Sequence, residues 1–247
     1  MHRFFVPPDS LGRSRVRIGG DVAQQIRRVL RMRPGDEFVL LDGLGYEYHV
    51  TLAEYGKDDV WAEVQDRSSV HTEPAHKVTV CLALLNKPEK FEWALQKCTE
   101  LGAARFVPVV AERSILGTLR GVRRERWERI IQEAAEQSGR GLIPVLAEPL
   151  SLKDALDSEA RSGQADHLAI MPELPSSAPI KSVIRDAQSA SIFIGPEGGF
   201  TPSEVGMARE AGVAIITLGR RTLRAETAAV ATLTLVMHEL GEMGSET

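Results

Sequence analysis

Cysteine is scarce: Cys81 and Cys98 are the only two in 247 residues, and each sits inside an apolar pattern. That excludes a disulfide framework and a thiolate metal cluster. Six histidines (His2, His49, His71, His76, His167 and His238) are scattered with neither H-x-x-x-H nor paired Cys–His spacing, so no metal is indicated. No apolar run approaches the ~20 residues of a membrane span. The opening Met1–Pro7 has no apolar stretch of the secretory kind; the expectation is a cytoplasmic protein. Neither a glycine-rich loop closed by Lys-Ser/Thr nor a G-x-G-x-x-G pattern is found, which removes the common mononucleotide and dinucleotide sites. Internal repeats and low-complexity segments are also absent. What remains is ordinary globular composition, 43% apolar and 26% charged, in a chain long enough for one large domain or a small and a medium one.

A net charge of −4 argues weakly against a nucleic-acid partner, but the charges are unevenly placed. Arg3, Arg13, Arg15, Arg17, Arg27, Arg28, Arg31 and Arg33 meet only Asp9 and Asp21 before Pro34, whereas acidic residues dominate from Pro34 to Thr72, against Lys57 and Arg67. An all-arginine segment suits phosphate groups; the alternative is a solvated surface rich in arginine.

Residues 1–72 read as a small, mostly β domain. Asp21–Leu30 is a short helical piece, Pro34-Gly35-Asp36 a turn, and Phe38–Leu41, Glu47–Leu52 and Val60–Val64 are strands, a pattern that suggests a compact barrel. Residues 73–247 alternate strands and helices, the signature of a parallel α/β domain. Val78–Leu85 reads as a strand buried on both faces. Helices follow at Pro88–Leu101 and Arg124–Ser138, and Ser151 caps a further one. Phe106–Val110 and His167–Ile170 are strands.

The most informative stretch is Ser191–Glu226. The apolar run Ile192–Ile194 stops at Gly195-Pro196-Glu197-Gly198-Gly199. Thr201, Pro202 and Glu204 then form a helix start of the capping-box type. A second run, Val213–Leu218, breaks at Gly219 into Arg220-Arg221-Thr222-Leu223-Arg224-Ala225-Glu226, and a helix over Thr227–Leu240 follows. Ligands of open α/β sheets sit at the carboxyl ends of strands. Two glycine-opened loops there make a backbone-lined cleft that admits a flat or uncharged group beside three arginines. The alternative is an ordinary pair of βα turns.

Ile194–Phe200, followed by Leu218–Ala228, resembles the RsmE family, ribosomal RNA methyltransferases of the SPOUT superfamily. The likeness extends through Val29–Asp36, Asn86–Lys90, Gln96-Lys97, Glu100–Gly102, Glu112-Arg113 and Glu136–Arg140. It implies an N-terminal PUA-like β-barrel domain and a C-terminal SPOUT α/β domain tied in a trefoil knot. It also implies S-adenosyl-L-methionine as methyl donor, a homodimer, and N3 of a uridine in 16S ribosomal RNA near the decoding centre as target. The sequence departs from the family at Gln25 and Met171, both places where a histidine is common.

Carried onto this chain, the resemblance makes Met171, Ile194, Gly195, Pro196, Glu197, Gly198, Gly199, Leu218, Gly219, Leu223, Arg224 and Ala225 the cofactor-binding candidates. Leu218 and Leu223 suit apolar walls for a neutral adenosine. Uridine N3 attacks only after losing its imide proton, so the chemistry needs a base and a positive group for the charge that spreads to O2 and O4. Arg224 suits the second task. Glu197 and Glu226 are each either the base or an acceptor that organises a loop. Arg3, Arg27, Arg28 and Arg31 are RNA-binding candidates, and Lys87, Lys90, Arg113 and Arg140 candidate phosphate contacts. The other readings are a SPOUT enzyme with another RNA target or ribose 2′-O chemistry, and a non-catalytic ribosome-assembly factor.

Overall fold

The computed structural model describes residues 1–12, 14–114, 122–160, 166–174, 178–184 and 187–244; Arg13 of the basic segment lies outside them. The chain forms two compact units, Met1–Glu73 with Gln132–Ile143, and Pro74–Ile131 with Pro144–Thr247.

The first unit holds β1 (Arg3–Phe5), β2 (Arg15–Ile18), α1 (Gly20–Gln24, continued by a π turn to Val29), β3 (Glu37–Leu41), β4 (Tyr46–Tyr55) and β5 (Val60–Ser69). These strands form a mixed sheet in the order β1-β3-β4-β5-β2, with β1 parallel to β3 and the other pairs antiparallel. Alternation along the strands sends Phe38, Leu40, Val50, Leu52, Val60 and Ala62 into one core with Phe4 and Ile26. The expected barrel is therefore an open ladder, with no pairing between β1 and β2 among the described residues.

Residues 132–143, assigned by sequence to the second domain, belong to this unit. The odd positions of β3, Val39 and Leu41, need a cover of their own, and Ala135 supplies it together with Phe5. Glu136 Oε1 accepts from Phe5 N–H at 3.0 Å, and the Glu73 carboxylate holds Arg140 at 2.8 Å and Gly141 N–H at 2.9 Å.

The second unit contains β6 (Lys77–Ala83), α2 (Pro88–Glu100), β7 (Arg105–Val110), most of α3 (Val122–Ser138), β8 (Val145–Leu146), β9 (Leu150–Ser151), α4 (Leu152–Ala155), β10 (His167–Pro172), β11 (Ser189–Ile194), α5 (Pro202–Glu210), β12 (Ala214–Ile216) and α6 (Ala225–Glu239). All strands are parallel, in the order β12-β10-β11-β6-β7-β8, with β9 also paired to β7. Val78, Val80 and Leu82 of β6 pack in one core with Leu95, Leu233 and Val236. Cys81 and Ala83, pointing the other way, pack with Leu152, Phe193 and Val205. A strand covered on both faces must be apolar at every position, which explains the unbroken run in the sequence. Both thiols are free and buried, and burial pushes that of Cys98 up to about 12, so they are core residues rather than reactive groups. No helix among the described residues is long and apolar enough to cross a membrane.

Candidate active site

Three neighbouring strands, β12, β10 and β11, end side by side in the second unit, and the segments leaving them line a cavity of about 480 Å³. Pro172, Glu173 and Leu174 come from the end of β10. The β11 exit contributes Ile194 to Gly199, and the segment between β12 and α6 contributes Leu218, Gly219 and Arg221 to Ala225; Ala228 completes the wall.

The β11 exit turns tightly because Pro196 O accepts from Gly199 N–H at 2.8 Å, with Gly199 at φ +68°. A Cβ on Gly195 would stand 3.2 Å from the backbone nitrogen of Phe200, so glycine is needed there for close approach of backbone to backbone. The helix start that follows is a full capping box. Thr201 Oγ1 accepts from Glu204 N–H at 3.3 Å, and Glu204 Oε2 accepts from Thr201 N–H at 2.8 Å. The second oxygen of Glu204 accepts from Glu112 N–H at 2.8 Å, and Arg113 donates to Gly198 O at 2.6 Å. The segment after β7 is thus pinned to the β11 exit. Glu197 is held too, its carboxylate accepting from Asn86 N–H at 3.2 and 3.3 Å.

In the second loop Gly219 adopts φ +105°, and Thr217 Oγ1 accepts its N–H at 3.1 Å. The helix that follows begins at Ala225, two residues before the sequence reading, because Arg224 already serves as N-cap with an extended backbone and no side-chain cap. The exposed guanidinium of Arg224 therefore stands beside a helix start whose first N–H groups and dipole favour negative charge.

The structure thus gathers Ile194, Gly195, Pro196, Glu197, Gly198, Gly199, Leu218, Gly219, Leu223, Arg224 and Ala225 around one cavity. Met171 is not among the lining residues. It is fully buried and packs with Phe193 and Phe200, because alternation along β10 turns it into the core while Pro172 lines the cavity. Glu226 does not line it either: it is 9% exposed, with Oε1 3.6 Å from Lys90 Nζ and Oε2 without a hydrogen-bond partner. Sequence reasoning missed Pro172, Glu173 and Leu174, although the rule that ligands sit at strand ends points to the end of β10 as well. It also passed over Arg221, Thr222 and Ala228.

Several candidate RNA contacts are otherwise engaged. Arg140 is not available to a phosphate: it is 4% exposed and bound by Glu73. Arg27 donates to the backbone oxygens of Gly56, Lys57 and Asp59 at 2.6, 2.9 and 3.0 Å and lies over the Tyr55 ring, which makes it a clip within the first unit. Lys90 faces Glu226 and Arg113 faces Gly198. Arg3 stands 3.8 Å from Glu47. Arg28, Arg31 and Lys87 are exposed, and Arg31 holds φ +53°, rare for a residue with a Cβ. Among the described residues no group of histidine, cysteine and carboxylate side chains is arranged to hold a metal ion.

The chain matches the family model of the RNA methyltransferase domain over residues 71–237 and that of an RNA methyltransferase PUA domain over residues 20–65. Among curated proteins it is 33% identical to ribosomal RNA small subunit methyltransferase E of Synechocystis sp. over 231 residues, which is 92% of this chain and 74% of the relative. The chain belongs to the ribosomal RNA small subunit methyltransferase E family. The family's protein from Bacillus subtilis is 32% identical over 229 residues, covering 90% of this chain and 89% of the relative. A crystal structure of the family from Neisseria gonorrhoeae, bound to S-adenosyl methionine, matches with a TM-score of 0.87 and 28% identity over 96% of this chain and 97% of that one. The family's methyltransferase domain, as matched here, contains all three segments that line the cavity.

Proposed function

We propose that the chain transfers a methyl group from S-adenosyl-L-methionine to N3 of a uridine in 16S ribosomal RNA, at a position near the decoding centre. The observation that carries this reading is the glycine-lined cavity spanning three adjacent strand ends, with an exposed arginine at the helix start beside it.

The residues fit the cofactor. The close backbone approach at Gly195 and the left-handed turns at Gly199 and Gly219 line the cavity with backbone rather than bulky side chains, which suits a neutral, flat adenosine. Leu218 and Leu223 supply apolar wall. When bound, S-adenosylmethionine supplies an electrophilic methyl group. The chain's own residues then have two tasks, removing the N3 proton and holding the resulting charge. Arg224 does the second: its guanidinium stays ionised and presents several donors to a uracil oxygen. Glu173 and Glu197 are the carboxylates that line the cavity, and Glu197 retains acceptor capacity beyond the bonds from Asn86. Glu226, outside the lining, organises Lys90 instead.

The substrate is the small-subunit RNA, alone or within the subunit, and the location is therefore cytoplasmic. A homodimer accompanies this reading, supported by α6: Leu235 on it is exposed while Ala229, Leu233, Val236 and Met237 are buried. A helix apolar on more than one face needs cover on more than one side. A trefoil knot also belongs to it, supported by the strand order, in which β11, later in the chain than both β6 and β10, lies between them.

Mass mapping of modified uridines in small-subunit RNA, from cells with and without this protein, tests the proposal. A 3-methyluridine that disappears with the protein is expected. Loss of a ribose methyl group instead, or no change at any nucleotide, overturns the N3 assignment.

A further inference from the structure

In the first unit β4 and β5 run ten residues each, longer than the core beneath them. Val50, Leu52, Val60 and Ala62 cover that core; from Tyr46 to His49 and from Asp66 to Ser69 no residue is fully buried. The two halves are separated by a bulge. Val50 pairs with Val64 and His49 with Asp66, which leaves Gln65 as the extra residue. Val64 and Arg67 are three apart, so an unbulged strand would send them to opposite faces. With Gln65 inserted, Arg67 pairs with Tyr48 and joins the tyrosine face. Its guanidinium lies 3.8 Å from the centroid of Tyr46 and 5.6 Å from that of Tyr48. The same pleat sends the acidic Glu47 and Asp66 to the other face.

The end of this ribbon is braced. The carboxylate of Asp42, 6% exposed, accepts from Leu44 N–H at 2.7 Å and Tyr46 N–H at 3.1 Å, and Val70 N–H donates to Gly45 O at 2.8 Å. Tyr46 nevertheless remains 40% exposed and Leu44, at the turn, 67%. A bulge re-aims a side chain at a defined place, and here it sets Arg67 and the exposed Tyr46 on a braced backbone at the margin of the core, against which Tyr48 is partly packed.

We infer that the Arg67–Tyr46 stack is a platform for an unpaired base of the RNA substrate, the base continuing the stack and the guanidinium edge taking an adjoining phosphate. Arginine planes and aromatic rings both stack on unpaired bases, and each such contact is sequence-tolerant. The inference rests on the reading of the chain as an RNA methyltransferase.

Binding of a single-stranded small-subunit RNA transcript, followed by fluorescence anisotropy at several salt concentrations, tests it, with a fully paired duplex as control. Tyr46→Ala weakens transcript binding by roughly 5- to 150-fold and leaves duplex binding unchanged, while Tyr46→Phe stays at wild type. Arg67→Ala weakens it too and lowers the salt slope by about one. Cofactor affinity is the same in all of them. Wild-type affinity and slope in both alanine variants overturn the platform. Should Tyr46→Ala fail to fold, cross-linking of a 5-iodouridine transcript to the unmodified chain reads the same contact, and no adduct at Tyr46 overturns it. An unmodified chain that binds the transcript but methylates no RNA fails the proposed activity alone; one that binds no RNA overturns both.

Discussion

Lys90 Nζ stands 3.6 Å from Glu226 Oε1, joining the first turn of α2 to the first turn of α6. Glu226 directly follows Arg224 and Ala225, which line the cavity, and its other oxygen is buried without a partner. Lys90 thus neutralises a carboxylate that is largely removed from water, and it thereby fixes the start of α6.

Lys90→Met leaves that carboxylate without its cation. Stranding a buried acceptor costs about 1–3 kcal/mol, so the variant unfolds at lower denaturant concentration with an unchanged slope. The salt dependence of RNA binding stays at the wild-type value. A reduced salt slope with unchanged stability would return Lys90 to the list of phosphate contacts.

Gly195→Ala places a methyl group 3.2 Å from both the backbone nitrogen and the ring of Phe200, so the Gly199–Phe200 segment must shift to admit it. Forced contacts of this kind cost about 1–3 kcal/mol, felt where the loop must hold its shape. Calorimetry is expected to show S-adenosylmethionine affinity reduced tenfold or more. Equal affinity in variant and wild type would mean that this loop does not hold the cofactor.

Arg224→Lys keeps the charge and loses the planar fork. If the guanidinium stabilises charge that develops as N3 is deprotonated and attacks, single-turnover methylation at saturating RNA and cofactor slows by ~10²–10³-fold, with both affinities little changed. A rise in KM at constant kcat would instead make Arg224 a binding residue.

Glu136 gives the first unit a pH signature. Burial raises its carboxyl above the ordinary range, more than the bonds from Phe5 and Gln132 lower it. The folded state therefore holds more protons than the unfolded state between the ordinary carboxylate value and the raised one. This contribution to stability is present below that window and is lost as pH rises through it. Glu136→Gln removes the slope while its amide oxygen can still accept from Phe5 N–H. Chemical denaturation from acid to neutral pH is expected to show the variant gaining on the wild type as pH rises; parallel curves would exclude the effect.

The sequence by itself determined the local elements whose cause is local. The helix start at Thr201 was legible because capping is decided by residues three apart, Thr201 and Glu204. The two-sided burial of β6 was legible because an unbroken apolar run has few other solutions. The two glycine loops were legible from their motifs, and they do meet at one cavity.

Only the tertiary structure decided the rest. That β10 lies between β11 and β12, bringing Glu173 to the cavity, depends on a strand order no local pattern encodes. Whether an arginine is free depends on what faces it across the chain: Arg140 meets Glu73, and Arg27 meets carbonyls some thirty residues away. The split of α3 at Gln132 has the same origin, since the apolar back of β3 lay more than ninety residues earlier and needed Ala135 to cover it. Charge and periodicity are properties of neighbours in sequence; pairing and burial are properties of neighbours in space.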